Sequence, residues 1–269
     1  MNYNVRNKLR IGVFDSGIGG LTVLHSLFQK APQHHYFYLG DTARLPYGNK
    51  SPKTLKKYVD QNIRFLLTKN VDAIVVACNS ASSVIENREK YPVPIFDVIG
   101  PSAVEAVKHS FAEKVAVIAT STTVKQKAYI KAIHNLSPST NVIQQACPLL
   151  VPLVEEGWLD DPLTNLVLYR YLSPLLLTEF DTLILGCTHY PLLIPAIKKV
   201  IGKEVKIISS AESVADDLVN YFQQTTFENF QTQPEIELYM TDDNPILPRI
   251  FSLLFNKHYE PNPQIVVIS

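Results

Sequence analysis

Short apolar runs recur along this chain, each closed by turn formers or small polar residues and set apart by stretches with helical spacing. The runs at 11–14, 36–39, 73–77, 95–98, 115–119, 142–145, 183–186, 205–208 and 236–240 predict strands. Continuous apolar runs of this length mark strands buried on both faces, as in parallel sheets. Between them, Ser51-Pro52 offers an N-cap and a first-turn proline to a helix running towards Lys69. Ser209 with Glu212 fits a capping box opening another. Strands alternating with helices predict βαβ units, so the class is α/β with mainly parallel sheets flanked by helices.

The pattern occurs twice. Ile11-Gly-Val-Phe-Asp-Ser-Gly17 and Val115-Ala-Val-Ile-Ala-Thr-Ser121 are apolar strands with small or polar ends, 104 positions apart. Asp72-Ala-Ile-Val-Val-Ala-Cys78-Asn and Asp181-Thr-Leu-Ile-Leu-Gly-Cys187-Thr share one layout, their cysteines 109 positions apart. Two features displaced by nearly equal amounts point to an internal duplication and two similar domains. Prolines cluster before Gly100-Pro101, which places the break there. The expected division is 1–99 plus 210–269 for the first α/β domain and 100–209 for the second. The C-terminal segment is too short to fold alone, so it is expected to pack back on the first half.

Composition narrows the function. Of 269 residues 46% are hydrophobic, enough for one large or two modest cores, and the formal net charge is zero. That balance lacks the basic footprint of a nucleic-acid binder, so no nucleic-acid partner is expected. The opening Met1-Asn-Tyr-Asn-Val-Arg-Asn-Lys-Leu-Arg10 is polar, without the apolar centre of a signal peptide. No apolar stretch reaches the ~20 residues of a membrane helix, so no membrane association and a cytoplasmic location are expected. The three cysteines, Cys78, Cys147 and Cys187, form neither a disulfide framework nor the CxxC spacing of a metal site. Free thiols and no metal follow.

The chemistry concentrates at strand ends, where ligands bind in open α/β sheets. Each of Cys78 and Cys187 ends a predicted strand beside a predicted helix N-terminus, a setting that favours thiolate. A single cysteine so placed is more often packing, but two at matching positions favour joint use. Asn79, Ser80 and Thr188 are neutral donors suited to a carboxylate, and His189 stands two residues past Cys187. Asp15-Ser-Gly-Ile-Gly-Gly20 reads equally as a tight strand-to-helix turn or as backbone N–H groups facing an anion. It is neither a dinucleotide fingerprint nor a Walker loop. Asp41-Thr-Ala-Arg-Leu-Pro-Tyr-Gly-Asn49 by itself reads as a surface connection. Glu155 and Glu156 by themselves read as solvated helix-end charges, and Cys147 reads as structural.

Four stretches in this order are similar to the glutamate racemases of the aspartate/glutamate racemase superfamily. They are Gly12-Val-Phe-Asp-Ser-Gly-Ile-Gly-Gly20, Tyr38-Leu-Gly-Asp-Thr-Ala-Arg-Leu-Pro-Tyr-Gly48, Ala77-Cys-Asn-Ser-Ala-Ser82 and Gly186-Cys-Thr-His-Tyr-Pro191. Ser80 stands where that family usually shows threonine, and keeps the hydroxyl. The resemblance implies two α/β domains facing each other across an active-site cleft. It implies conversion of L-glutamate to D-glutamate for peptidoglycan synthesis, without a cofactor, in an enzyme that commonly forms homodimers. In the family pattern Cys78 takes the Cα proton of the D-enantiomer and Cys187 that of the L-enantiomer. Asp15, Glu155 and His189 match positions assisting the thiols or the substrate ammonium. Asp15, Ser16, Pro46, Tyr47, Gly48, Asn79, Ser80, Thr188 and His189 match substrate-binding positions.

Three rivals differ in what they leave over. A sister racemase acting on aspartate or another amino acid would keep both thiols and change the carboxylate pocket. A cysteine hydrolase built on Cys187 and His189 leaves Cys78 without a role. A two-lobed anion-binding protein would bind glutamate and leave its Cα hydrogen in place.

Overall fold

The computed structural model describes residues 8–222, 235–255 and 261–268. Most of the polar lead, and parts of the C-terminal segment assigned to the first half, lie outside these residues. The elements run β1 (Arg10–Asp15), α1 (Leu21–Lys30), β2 (His35–Gly40), α2 (Pro52–Leu67), β3 (Ala73–Val76), α3 (Asn79–Ser82) and β4 (Ile95–Asp97). Next come α4 (Ile99–His109), β5 (Lys114–Ala119), α5 (Ser121–Lys125), α6 (Ala128–Leu136), β6 (Asn141–Ala146), α7 (Leu150–Glu155) and α8 (Pro162–Leu176). The chain continues through β7 (Thr182–Gly186), α9 (Ile194–Ile201), β8 (Lys206–Ser209), α10 (Ser210–Phe222), β9 (Glu235–Met240), α11 (Leu247–Phe255) and β10 (Gln264–Ile265). All nine expected strands are present, with ends shifted by a residue or two. The two-residue edge strand β10 carries no pattern of its own and was not anticipated.

The strands form two sheets, ordered β10-β9-β2-β1-β3-β4 and β6-β5-β7-β8, and the described pairings are parallel. The order β2-β1-β3-β4 recurs as β6-β5-β7-β8, so the repeat heard in the sequence is a repeat of topology. β1, β3, β5 and β7 are almost wholly buried because helices cover both faces. The mechanism of α2 is as expected: Ser51 Oγ accepts the Thr54 N–H at 3.2 Å and Pro52 opens the first turn.

Gly100-Pro101 lies where the chain passes from β4 of the first sheet to β5 of the second. Both residues lie in the first turn of α4, which follows β4 almost directly. Proline lacks only an N–H that a helix start leaves unpaired, so Pro101 fits this opening turn, while Pro92 and Pro94 lie before β4.

One apolar cluster joins the sheets. It takes Ile11, Val13 and Val75 from the first, Val115, Val117 and Ile184 from the second, and the inner faces of α1, α4, α10 and α11. Separate clusters under α2 and under α7, α8 and α9 cover the two outward faces. The shared cluster holds the C-terminal ends of the two sheets towards each other. That is where the chemistry lies.

Candidate active site

Four strand ends converge on one cavity of about 240 Å³. Ser16 follows β1, Cys78 follows β3, Thr120 follows β5 and Cys187 follows β7, and all four line it. Cys78 is the N-cap residue of α3, whereas Cys187 precedes a 3₁₀ turn (Tyr190–Leu193) that leads into α9. Both cysteines are buried to the degree of core residues, 6% and 5% exposed, while lining the same space. Gly186 permits this on the second side: a Cβ there would lie 2.9 Å from Ala119 Cβ and 3.0 Å from the Tyr129 ring.

On the first side, Cys78 Sγ lies 3.8 Å from Ser16 Oγ. Burial, with the Asp15 carboxylate next in effect, pushes the Cys78 thiol up to about 12. Its resting form is therefore the protonated thiol. Asp15 is fully buried and does not line the cavity; it stands behind it, accepting the Gly17 N–H at 3.0 Å and the Thr188 hydroxyl at 3.3 Å. Burial raises its carboxyl, opposed by the charge of His189 and by these hydrogen bonds. The glycine-rich turn is thus filled by its own aspartate, and the reading of it as an outward-facing anion cradle falls. Its glycines serve close packing instead, since a Cβ on Gly19 would collide with the His189 ring and the Thr188 hydroxyl. Thr22 Oγ1 donates to the Thr188 carbonyl at 2.9 Å, stapling that turn to the other half.

On the second side, His189 Nδ1 lies 3.9 Å from Cys187 Sγ and its Nε2 lies 3.2 Å from Glu155 Oε1. Burial pulls the imidazole down, but its bonds to Cys187 and Glu155 outweigh that and raise it to about 10. His189 is therefore a buried cation at neutral pH, placed to move a proton to or from the sulfur. Glu155, the last residue of α7, lines the cavity, so its reading as a solvated helix-end charge is corrected; Glu156 keeps that role. Position along a helix says nothing about what faces its end. The partner histidine is thirty-four residues away.

The wall between the sides is the segment Leu45-Pro46-Tyr47-Gly48-Asn49. A buried network holds it. Tyr47 donates to the carboxylate of Asp41, Asn62 Nδ2 donates to Tyr47 Oη at 3.0 Å, and Arg44 Nε reaches Asp41 at 2.7 Å. Arg44 also lies 4.3 Å over the Tyr58 ring. The far end is tied to the other half, where Thr122 Oγ1 donates to the Gly48 carbonyl at 2.9 Å. This segment is no surface connection. Its turn formers close a loop around a fully buried aspartate.

Asn79, Ser80, Thr188 and His189 line the cavity as expected, with Ser80 Oγ 2.8 Å from Thr120 Oγ1. Sequence reasoning missed Thr120 and Ser121 on the second side, and Pro148, Val151 and Pro152 on the rim. The repeat held the signal for the first two: Thr120 and Ser121 occupy the positions of Ser16 and Gly17 in the duplicated strand end. Cys147 is fully buried, bonded through its backbone to Ala119 and Tyr190, and does not line the cavity.

A model of the Asp/Glu/Hydantoin racemase family matches residues 11–218. The chain is 44% identical over 245 residues to the glutamate racemase of Syntrophus aciditrophicus, covering 90% of this chain and 91% of that protein. Among solved structures, a glutamate racemase from Bacillus anthracis superposes with a TM-score of 0.91 at 34% identity, covering 97% of this chain and 98% of that one. The Francisella tularensis glutamate racemase, solved with D-glutamate, gives 0.89 at 33% identity, covering 97% and 98%. With two parallel sheets, paired thiols and this match, the chain belongs to the Asp/Glu/Hydantoin racemase family.

Proposed function

We propose that this protein is a glutamate racemase working by two bases, with Cys78 and Cys187 on opposite faces of the substrate Cα. It interconverts L- and D-glutamate and supplies the D-enantiomer for peptidoglycan synthesis. The observation that carries the reading is that two thiols at equivalent strand ends line one cavity.

Inverting a stereocentre through a planar carbanion needs one group to remove the proton and another, opposite, to return one. From L-glutamate the Cα proton passes to Cys187 Sγ while the Cys78 thiol gives its proton to the other face. The protonated resting form of Cys78 suits that direction. From D-glutamate the roles reverse, and Cys78 acts as the thiolate. Before the transfer the His189 cation, held by Glu155, faces the sulfur that carries the negative charge; after it Cys187 keeps the proton and the charge lies on Cys78. Charge developing on the α-carboxylate falls among neutral donors: Ser16, Asn79, Ser80 and Thr188. Among the described residues lining the cavity there is no lysine or arginine. In an enclosed site such fixed dipoles act more strongly than in water. Pro46, Tyr47 and Gly48 form the wall that shapes the pocket around the side chain, and Asp15 acts from behind Thr188.

The same reading divides the chain into 1–99 with 210–269 and 100–209. It is supported by the sheets, whose strands come from 10–97 with 235–265 and from 114–209. Family resemblance adds a cytoplasmic homodimer, which light scattering of the purified protein tests. Among the described residues no helix is long and apolar enough to cross a membrane.

The deciding experiment is circular dichroism of L-glutamate with purified protein and no additive, alongside proton exchange at Cα in heavy water. Signal decay to the racemic value with exchange is expected. Binding without exchange overturns the enzymatic reading, and preference for aspartate overturns the substrate.

A further inference from the structure

Tyr129 is fully buried and does not line the cavity, yet it touches the chain beside both thiols. It sits in the first turn of α6, in the half that carries Cys187. Its phenol donates to Asn79 Oδ1 at 2.6 Å, across to the other half, and Asn79 directly follows Cys78. The opposite end of that amide, Nδ2, lies 3.4 Å from Ser210 Oγ, where α10 begins. The Tyr129 ring edge meanwhile fills the space beside Gly186, directly before Cys187. We propose that Tyr129 is a positioning residue for both proton-transfer thiols, clamping Asn79 beside Cys78 while its ring bears on Gly186 beside Cys187.

A buried hydroxyl needs a partner, and a phenol in a core bonded to any carbonyl would meet that need. Here the partner is a cavity-lining amide one residue from a thiol, and the contact crosses between the sheets. Two sulfurs must flank one carbon, and small misplacements of reacting groups cost large factors in rate. One rigid ring that spans from one thiol loop to the other fixes their separation without touching substrate.

This assignment rests on the racemase reading, so the wild-type protein is measured first. With it active, Tyr129→Phe keeps the ring against Gly186 and removes the bond to Asn79 together with the phenol's bond to the Ser102 side chain, which lies in its own half. The expected result is a fall in kcat of about ten- to a hundredfold in both directions, with KM for glutamate little changed. With α-deuterated substrates, the isotope effect on kcat/KM rises for D-glutamate and falls for L-glutamate, because only the step at Cys78 is slowed. Asn79→Ala removes the acceptor and gives the same asymmetry, and the double variant is no slower than Asn79→Ala alone. Wild-type kcat in Tyr129→Phe overturns the assignment. So does a loss that follows a lowered Tm with isotope effects unmoved, the mark of a merely structural tyrosine. A wild-type protein that leaves Cα unexchanged overturns the racemase reading, and this assignment with it.

Discussion

The two thiol neighbourhoods occupy the same place in a repeated topology and have different chemistry around them. Cys78 ends β3 and Cys187 ends β7, each strand holding the same position in its own sheet. Behind Cys78 stand the Ser16 hydroxyl and the buried Asp15 carboxyl, with no cation in contact with the sulfur among the described residues. Behind Cys187 stands a histidine held as a cation by Glu155. A duplicated backbone therefore supplies two thiols in symmetry, and the loops supply an asymmetry in what surrounds each sulfur. A racemase needs both: symmetry to serve two mirror-image substrates, asymmetry to begin each turnover with a defined proton.

The comparison breaks most sharply if either sulfur proves dispensable. Cys78→Ala and Cys187→Ala should each lower racemisation by about a thousandfold or more, with the fold kept by circular dichroism. Retained turnover in one of them would return the hydrolase-like reading with a single thiol. The sides should next separate by their supporting groups. His189→Asn should cost about a hundredfold in kcat, whereas Ser16→Ala costs about tenfold, both read from steady-state rates in each direction. Equal losses would show that the cation gives Cys187 no particular assistance.

The asymmetry also has a signature in stability. His189 has its folded pKa raised from 6.5 to about 10, so its contribution is fully present below about pH 6.5 and fades as pH rises through about 10. Urea unfolding across that window should show wild-type stability falling, and His189→Asn should flatten the fall. On the wall, Tyr47→Phe strands Asp41 and Asn62 without their shared hydroxyl. It should cost about 1–3 kcal/mol of stability and raise KM more than it lowers kcat. The smallest effect is expected at the third cysteine. Cys147→Ala should cost about 1 kcal/mol through lost packing and leave turnover unchanged.

How much of this was legible in the sequence depends on how far apart the interacting residues stand. The strands, the paired cysteines and the donors after them were read directly, because each is a local run whose neighbours share one strand end. Thr120 and Ser121 were visible in the repeat yet passed over, since neither carries a charge or a reactive atom. The loop 41–49 taken by itself was misread, although the resemblance pointed to Pro46, Tyr47 and Gly48, because the meaning of Asp41 depends on Arg44, Tyr47, Asn62 and Thr241, gathered from three parts of the chain. Glu155 and His189, and Tyr129 and Asn79, meet across distances along the chain that no periodicity reports.

By itself the sequence determined the class of fold, the order of the strands along the chain and the two sulfur positions, because apolar period and strand length are set residue by residue. Only the tertiary structure decided which groups stand behind each sulfur, that the glycine turn is filled by its own carboxylate, and that one shared core faces the two sheets together. Those outcomes rest on close packing and on the cost of leaving buried polar groups unpaired. Both are settled only once distant segments of the chain have met.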